Sequence, residues 1–209
     1  MTTAELTHDE VHQGATPSTA RFGMIMFLLS EAMLFAALLI TYTVLRIGHP
    51  GDWPPHGAPD LRVRFPLTMM NYVMIINSFI LISSSFTFHW VEVQIKKHGK
   101  SGLFPLLVTI ALGTVFLCVQ GWEWSHLYEE GMWFSKEMYG IYGSCFFVTT
   151  GFHGMHVFVG LLLLIWCFLR QVCFGSFTQK HHVALDNVGL YWHFVDGVWL
   201  VVYTLFYII

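Results

Sequence analysis

Five long apolar runs dominate this chain, and they leave it few ways to fold. A helix that crosses the hydrocarbon core of a bilayer needs about 20 mainly apolar residues. Runs over roughly 22–46, 66–90, 102–126, 139–169 and 184–209 all reach that length. Only 11% of the 209 residues are charged, against about 25% in soluble domains. The spacing predicts an all-α membrane protein, a bundle of five transmembrane helices forming one domain over 21–209, behind a polar tail over 1–20. The fourth run is about 45 Å long as a helix, enough to tilt or protrude. Pro105 falls in the first turn of the third run, where a missing N–H costs nothing.

The connections are short. Residues 47–65, "IGHPGDWPPHGAPDLRVRF", are too rich in Pro and Gly to be helical. Residues 91–101 hold Lys96, Lys97 and Lys100, and residues 127–138 hold Glu129, Glu130 and Glu137. Five spans put the two ends of the chain on opposite sides of the membrane. Arg21, Lys96, Lys97, Lys100, Arg170 and Lys180 then share the N-terminal side, and Arg46, Arg62, Arg64 and Lys136 the other. Positive residues concentrate on cytoplasmic faces, so the N-terminus is expected in the cytoplasm. A net charge of −3 supplies no basic field for nucleic acid. The first 20 residues lack the basic-then-apolar order of a secretory leader. Cys118, Cys145, Cys167 and Cys173 have no C-x-x-C spacing; they are expected to pack as small hydrophobes without a disulfide framework. No internal repeat of the kind that builds many transporters is visible.

Ionisable groups at bilayer depth cost about 2.5–3.5 kcal/mol on insertion scales and face the bundle interior. Here they are Glu31, Glu123 with His126, His153 with His156, and His193 with Asp196. Three of these sets are spaced i, i+3, which puts both side chains on one helix face. Hydrocarbon offers no water to satisfy them. Each pair is therefore expected to bond internally or to a neighbouring helix, as structural glue or as a proton-transfer or ligand site. His153 and His156 lie among Gly151, Gly154 and Gly160, small residues that allow close helix approach. Two imidazoles on one helix make only half a metal site. Glu123-Trp-Ser-His126 matches the Glu-x-x-His of di-iron bundles, which need two such motifs and two further Glu residues; one motif is present, which excludes that site. The one Lys or Arg in the run of Glu31 is Arg46, 15 residues away at its far end. Glu31 is expected to donate one hydrogen bond as a neutral acid, or to handle protons or anchor lipid.

The same residues carry a resemblance. "RFGMIMFLLSEAMLF", "WPP", "YGSCFFVTTGFHGMHVFVG", "CFLRQ", "FTQKHH" and "LYWHFVDGVWLVVY" occur in an order and spacing similar to that of cytochrome c oxidase subunit III, across roughly residues 21–209. The resemblance implies a non-redox core subunit of a respiratory haem–copper terminal oxidase that reduces oxygen to water. Such a subunit binds neither haem nor copper, which belong to partner subunits. It packs against catalytic subunit I, holds structural phospholipid in clefts and supports proton uptake; subunit II, other subunits and, indirectly, cytochrome c are its further partners. The family's intramembrane glutamate matches Glu31, its lipid-phosphate arginine matches Arg170, and the His and Asp of its last helix match His193 and Asp196. The implied location is the bacterial inner membrane. Longer members have seven helices with a lipid cleft between the first two and the rest; without those two, the cleft is open on one side or closed by another subunit. Many members also carry a His shortly before the "FT", where this chain has Gly175 and Ser176, which removes a possible head-group contact.

Other classes remain distinguishable. A quinol oxidase shares this subunit architecture, since the electron donor is bound elsewhere. A related accessory protein assists nitric oxide reductase, and co-purification separates it. A self-contained membrane metalloenzyme built on the His pairs would hold stoichiometric metal when isolated.

Overall fold

The computed structural model describes residues 8–49, 53–56, 58–59, 61, 69–99, 101–134, 140–178 and 181–209, with side chains from residue 19 onward. Of the expectations above, those on residues 1–7 and 66–68 and on Arg62, Arg64, Lys100, Lys136, Glu137 and Lys180 lie outside the described residues. Five helices form the described chain: α1 His8–Gly48, α2 Met69–Lys96, α3 Leu103–Glu129, α4 Gly140–Phe174 and α5 Val183–Tyr203. A wider π-helical turn, Thr204–Ile208, continues α5. All five helices are long and apolar enough to cross a membrane, and no strand occurs among the described residues. The fold is therefore all-helical with five membrane-spanning helices, as the apolar runs predicted.

The ends moved by several residues, for local reasons. Helix α1 reaches back to His8, well before the expected start at 22. Helix α4 runs on to Phe174 and stops at Gly175, whose φ of +54° is left-handed, a conformation that favours glycine and ends helices. Helix α3 starts after Gly102 at φ +62°, with Pro105 in its first turn.

Helix α5 is the hub. It packs against α1, α2 and α4, while α2 pairs with α3 and α3 with α4. Helix α1 sits outermost, on α5 and α4; among its described side chains, from residue 19 on, only Phe35 and Tyr42 are buried. The inner face of α5 runs through Leu185, Val188, Trp192, Val195, Trp199 and Val202, all buried and spaced three or four apart as one helix face requires. Trp192 is completely buried because glycine lies on both sides of it. A Cβ on Gly113 of α3 would stand 2.8 Å from the Trp192 ring, and one on Gly160 of α4 also 2.8 Å. Of the three small residues expected to let helices approach, Gly160 meets Trp192 and Gly151 meets Trp124 at 3.1 Å, whereas Gly154 faces open space.

Candidate functional site

The intramembrane polar residues gather at three places, each where a helix meets a neighbour. At the first, α1 presents Phe27, Glu31 and Phe35 at i, i+4 spacing to α4 and α5. Glu31 Oε2 lies 3.0 Å from His156 Nε2. His156 is nearly buried, and its Nδ1 sits 2.6 Å from the Phe152 carbonyl one turn back. An imidazole nitrogen facing a carbonyl must carry its hydrogen, which leaves the Nε2 side to Glu31. One proton therefore lies between Nε2 and Oε2. Rings enclose the pair: Phe35 meets the imidazole edge-on at 5.1 Å, and Tyr191 stacks on it at 6.5 Å. The Tyr191 hydroxyl donates to the His156 carbonyl at 3.0 Å, so α1, α4 and α5 converge here.

The second place joins α2 to α5. The Ser85 hydroxyl donates to Asp196 Oδ2. Its oxygen then accepts from His193 Nδ1 at 3.0 Å. The result is a directed chain from His193 through Ser85 to Asp196. His193 and Asp196 share a face, as their spacing predicted, but a serine of the facing helix joins them. Ser84 lies 3.4 Å from the same carboxylate oxygen and accepts from Trp192 Nε1 at 3.0 Å. About two turns away, Ser78 accepts from Trp199 Nε1 at 3.0 Å. The serines of α2 and the tryptophans and Asp196 of α5 thus form a polar seam in the bundle. Asp196 is buried, and its Oδ1 has no hydrogen-bond partner among the described residues.

The third place is deeper between α3 and the end of α5. Glu123 is fully buried and accepts from the Tyr207 hydroxyl at 2.6 Å and from Gln120 Nε2. The π-helical turn brings this about. It seats both Phe206 and Tyr207 inside the bundle, since hydrogen bonds between residues five apart widen the turn and shift the register of the last side chains. His126 does not join Glu123; it points outward, 3.4 Å from Glu130 and stacked on Trp122. His153 and His156 also part company. His153 is fully buried against Trp199 and Phe116 instead of facing Glu31.

Arg170 stands apart from all three, near the end of α4. Its guanidinium lies over the Trp166 ring at 5.1 Å. The two line a cavity of about 580 Å³ with Leu169, Cys173, Phe174 and Ser176. Ser176, one of the residues standing where a histidine was expected, is thus part of that cavity wall. On the same side of the bundle, Lys96 bridges Glu92 at 3.1 Å and Asp186 at 2.8 Å, pinning the end of α2 to the start of α5.

Ser85, Tyr207 and Gln120 are the partners that the residue pattern alone did not single out. The signal was present for Ser85, since three consecutive serines in an apolar helix need acceptors or donors of their own. For Tyr207 the signal was indirect: Glu123 had to meet a donor somewhere inside the bundle. Among the described residues, no three of His, Cys, Asp and Glu come together as a metal site would need.

Comparison with known proteins places these residues in context. The family model described as Cytochrome c oxidase subunit III matches residues 2–209. The chain is 37% identical to cytochrome c oxidase subunit 3 of Synechocystis sp., covering 92% of this chain and 77% of that protein. It is 36% identical to the subunit 3 of Thermostichus vulcanus, over 95% of this chain and 91% of the relative. The human subunit 3 is 36% identical over 98% of this chain and 75% of its own length.

Proposed function

Since this chain belongs to the cytochrome c oxidase subunit III family, and is thus a multi-pass membrane component of a haem–copper oxidase whose redox cofactors lie in other subunits, we propose that it braces catalytic subunit I, holds phospholipid and supports proton uptake. The observation that carries this reading is how the polar groups at membrane depth are used. Glu31, His156, His193, Asp196 and Glu123 all bond across to another element. They hold the bundle in one register and present a fixed lipid-facing surface to neighbouring subunits. The Glu31–His156 contact supports the proton-handling part: it sets an imidazole nitrogen and a carboxyl oxygen 3.0 Å apart, where one proton is shared across α1 and α4.

Residues 21–209 act as one unit in this reading, with the N-terminus in the cytoplasm and the complex in the bacterial inner membrane. Subunit II and the remaining subunits complete the assembly, and cytochrome c is the donor. Arg170 takes the phosphate of a structural phospholipid, its guanidinium held in place by Trp166 and its acyl chains lying along the apolar wall of Leu169 and Phe174. An arginine suits that task because its planar fork pairs with two phosphate oxygens at once.

The test is the phospholipid content and durability of the purified oxidase carrying Arg170→Gln. The proposal predicts fewer tightly held anionic phospholipids per complex and faster loss of activity during sustained turnover. Unchanged lipid content together with unchanged decay would overturn the assignment.

A further inference from the structure

The strongest unexplained feature lies in the middle of the bundle, away from Arg170 and from the Glu31–His156 pair. His153 is fully buried, and neither ring nitrogen has a hydrogen-bond partner among the described residues. Its ring is held on two sides, stacked on Trp199 at 4.8 Å and met edge-on by Phe116 at 5.8 Å. Phe116 belongs to a second polar group as well, because its carbonyl accepts from Asn77 Nδ2 at 3.3 Å. Asn77 is buried, and its Oδ1 is unpartnered among the described residues. One turn further along α3, Gln120 is buried with its Nε2 bonded to Glu123 and its Oε1 unpartnered. Asn77 of α2 and His153 of α4 thus both meet Phe116 of α3, and Gln120 lies one turn from it.

Buried polar groups in folded proteins are almost always bonded, to protein or to ordered water. The chemistry here selects the ligand. An imidazole always carries at least one N–H donor, while both amide oxygens can only accept. An anion would be repelled by the two oxygens. A cation would meet the imidazole N–H. An apolar molecule would satisfy none of the three groups. A molecule with two donors and two lone pairs satisfies all of them, and buried water makes about three such bonds on average. We infer that the crossing of α2, α3 and α4 at Phe116 holds ordered water, bonded to His153, Asn77 and Gln120. Through Gln120 the water joins Glu123 and Tyr207, so one polar network spans the bundle from α4 to the end of α5. This inference does not depend on the lipid or proton roles proposed above.

The test uses the assembled oxidase complex. A map resolving ordered water should show a peak about 2.7–3.2 Å from a His153 ring nitrogen and from Asn77 Oδ1 or Gln120 Oε1. Either no peak, or a His153 nitrogen bonded directly to a protein atom, would overturn the inference. A set of variants decides independently. His153→Phe keeps a ring against Trp199 but removes both nitrogens. If water is bound, this change strands the amides, and the thermal midpoint of the complex falls by a few degrees. Asn77→Leu added to it recovers part of the loss, and His153→Gln alone stays closer to the parent. If the slot is dry, His153→Phe relieves an unpaired group and raises the midpoint, which contradicts the inference. Should a variant fail to assemble, the map still decides.

Discussion

Replacing Glu31 by Ala should loosen α1 from the rest of the bundle, by an amount that follows from the geometry. The carboxylate meets His156 at 3.0 Å across the α1–α4 contact. Interhelical hydrogen bonds in membranes contribute about 0.6 kcal/mol on average and up to about 1.7. Here removal does more, because His156 is only 6% exposed and its Nε2 is left in an apolar slot. Stranding a buried polar atom costs about 1–3 kcal/mol, which corresponds to roughly a 5- to 150-fold change in an equilibrium. Elsewhere α1 is held by Tyr42 against Phe206 and by Arg46 on the Ile209 carbonyl, and among its described side chains only Phe35 and Tyr42 are buried. Hydrogen exchange of peptides spanning residues 27–35 and 152–160 in the assembled complex reads the opening directly. The expected result is a rise in open fraction within that range for Glu31→Ala. Glu31→Gln, whose amide still bonds to Nε2, should recover most of the protection. In a double-mutant cycle with His156→Phe the two changes should be non-additive. Unaltered exchange in Glu31→Ala, or additive effects in the cycle, would show that the Glu31–His156 contact does not hold α1 to α4.

Three further outcomes follow from the packing and the polar seam. Gly160→Ala places a methyl 2.8 Å from the buried Trp192 ring and should destabilise the subunit by about 1–3 kcal/mol, as overpacked cores do. Gly197→Ala, whose Cβ meets open space, should be neutral or slightly stabilising by thermal melting of the complex, since Ala is the better helix former. Ser85→Ala breaks the chain from His193 to Asp196; it should destabilise by about 1–3 kcal/mol, and Ser85→Thr, which retains the hydroxyl, should recover much of that loss.

Much of this architecture was legible because membrane insertion constrains sequence so strongly. The five helices follow from the apolar runs, and the inward direction of Glu31, His156 and Asp196 follows from the cost of putting them anywhere else. Partner choice was less legible. Spacing of i, i+3 leaves two side chains about 60° apart around a helix of 3.6 residues per turn. In a crowded bundle that angle is enough to give each its own neighbour. His156 therefore turns to Glu31 while His153 turns to Trp199, and Glu123 faces Tyr207 while His126 faces Glu130. Bonding between Ser85 and Asp196 depends on the register of α2 against α5, which no pattern within either helix encodes. The reach of Tyr207 depends on a π-helical turn, a local widening of the backbone that leaves no mark in hydrophobic periodicity.

In the function proposed here, these embedded polar side chains bind helices, neighbouring subunits and lipid together, while electrons pass elsewhere in the oxidase. Metal content of the purified complex, measured before and after this chain is separated from its partners, tests that most directly. Iron and copper should stay wholly with the partner subunits. Iron or copper in one-to-one ratio with the separated chain, accompanied by turnover of substrate, would contradict it.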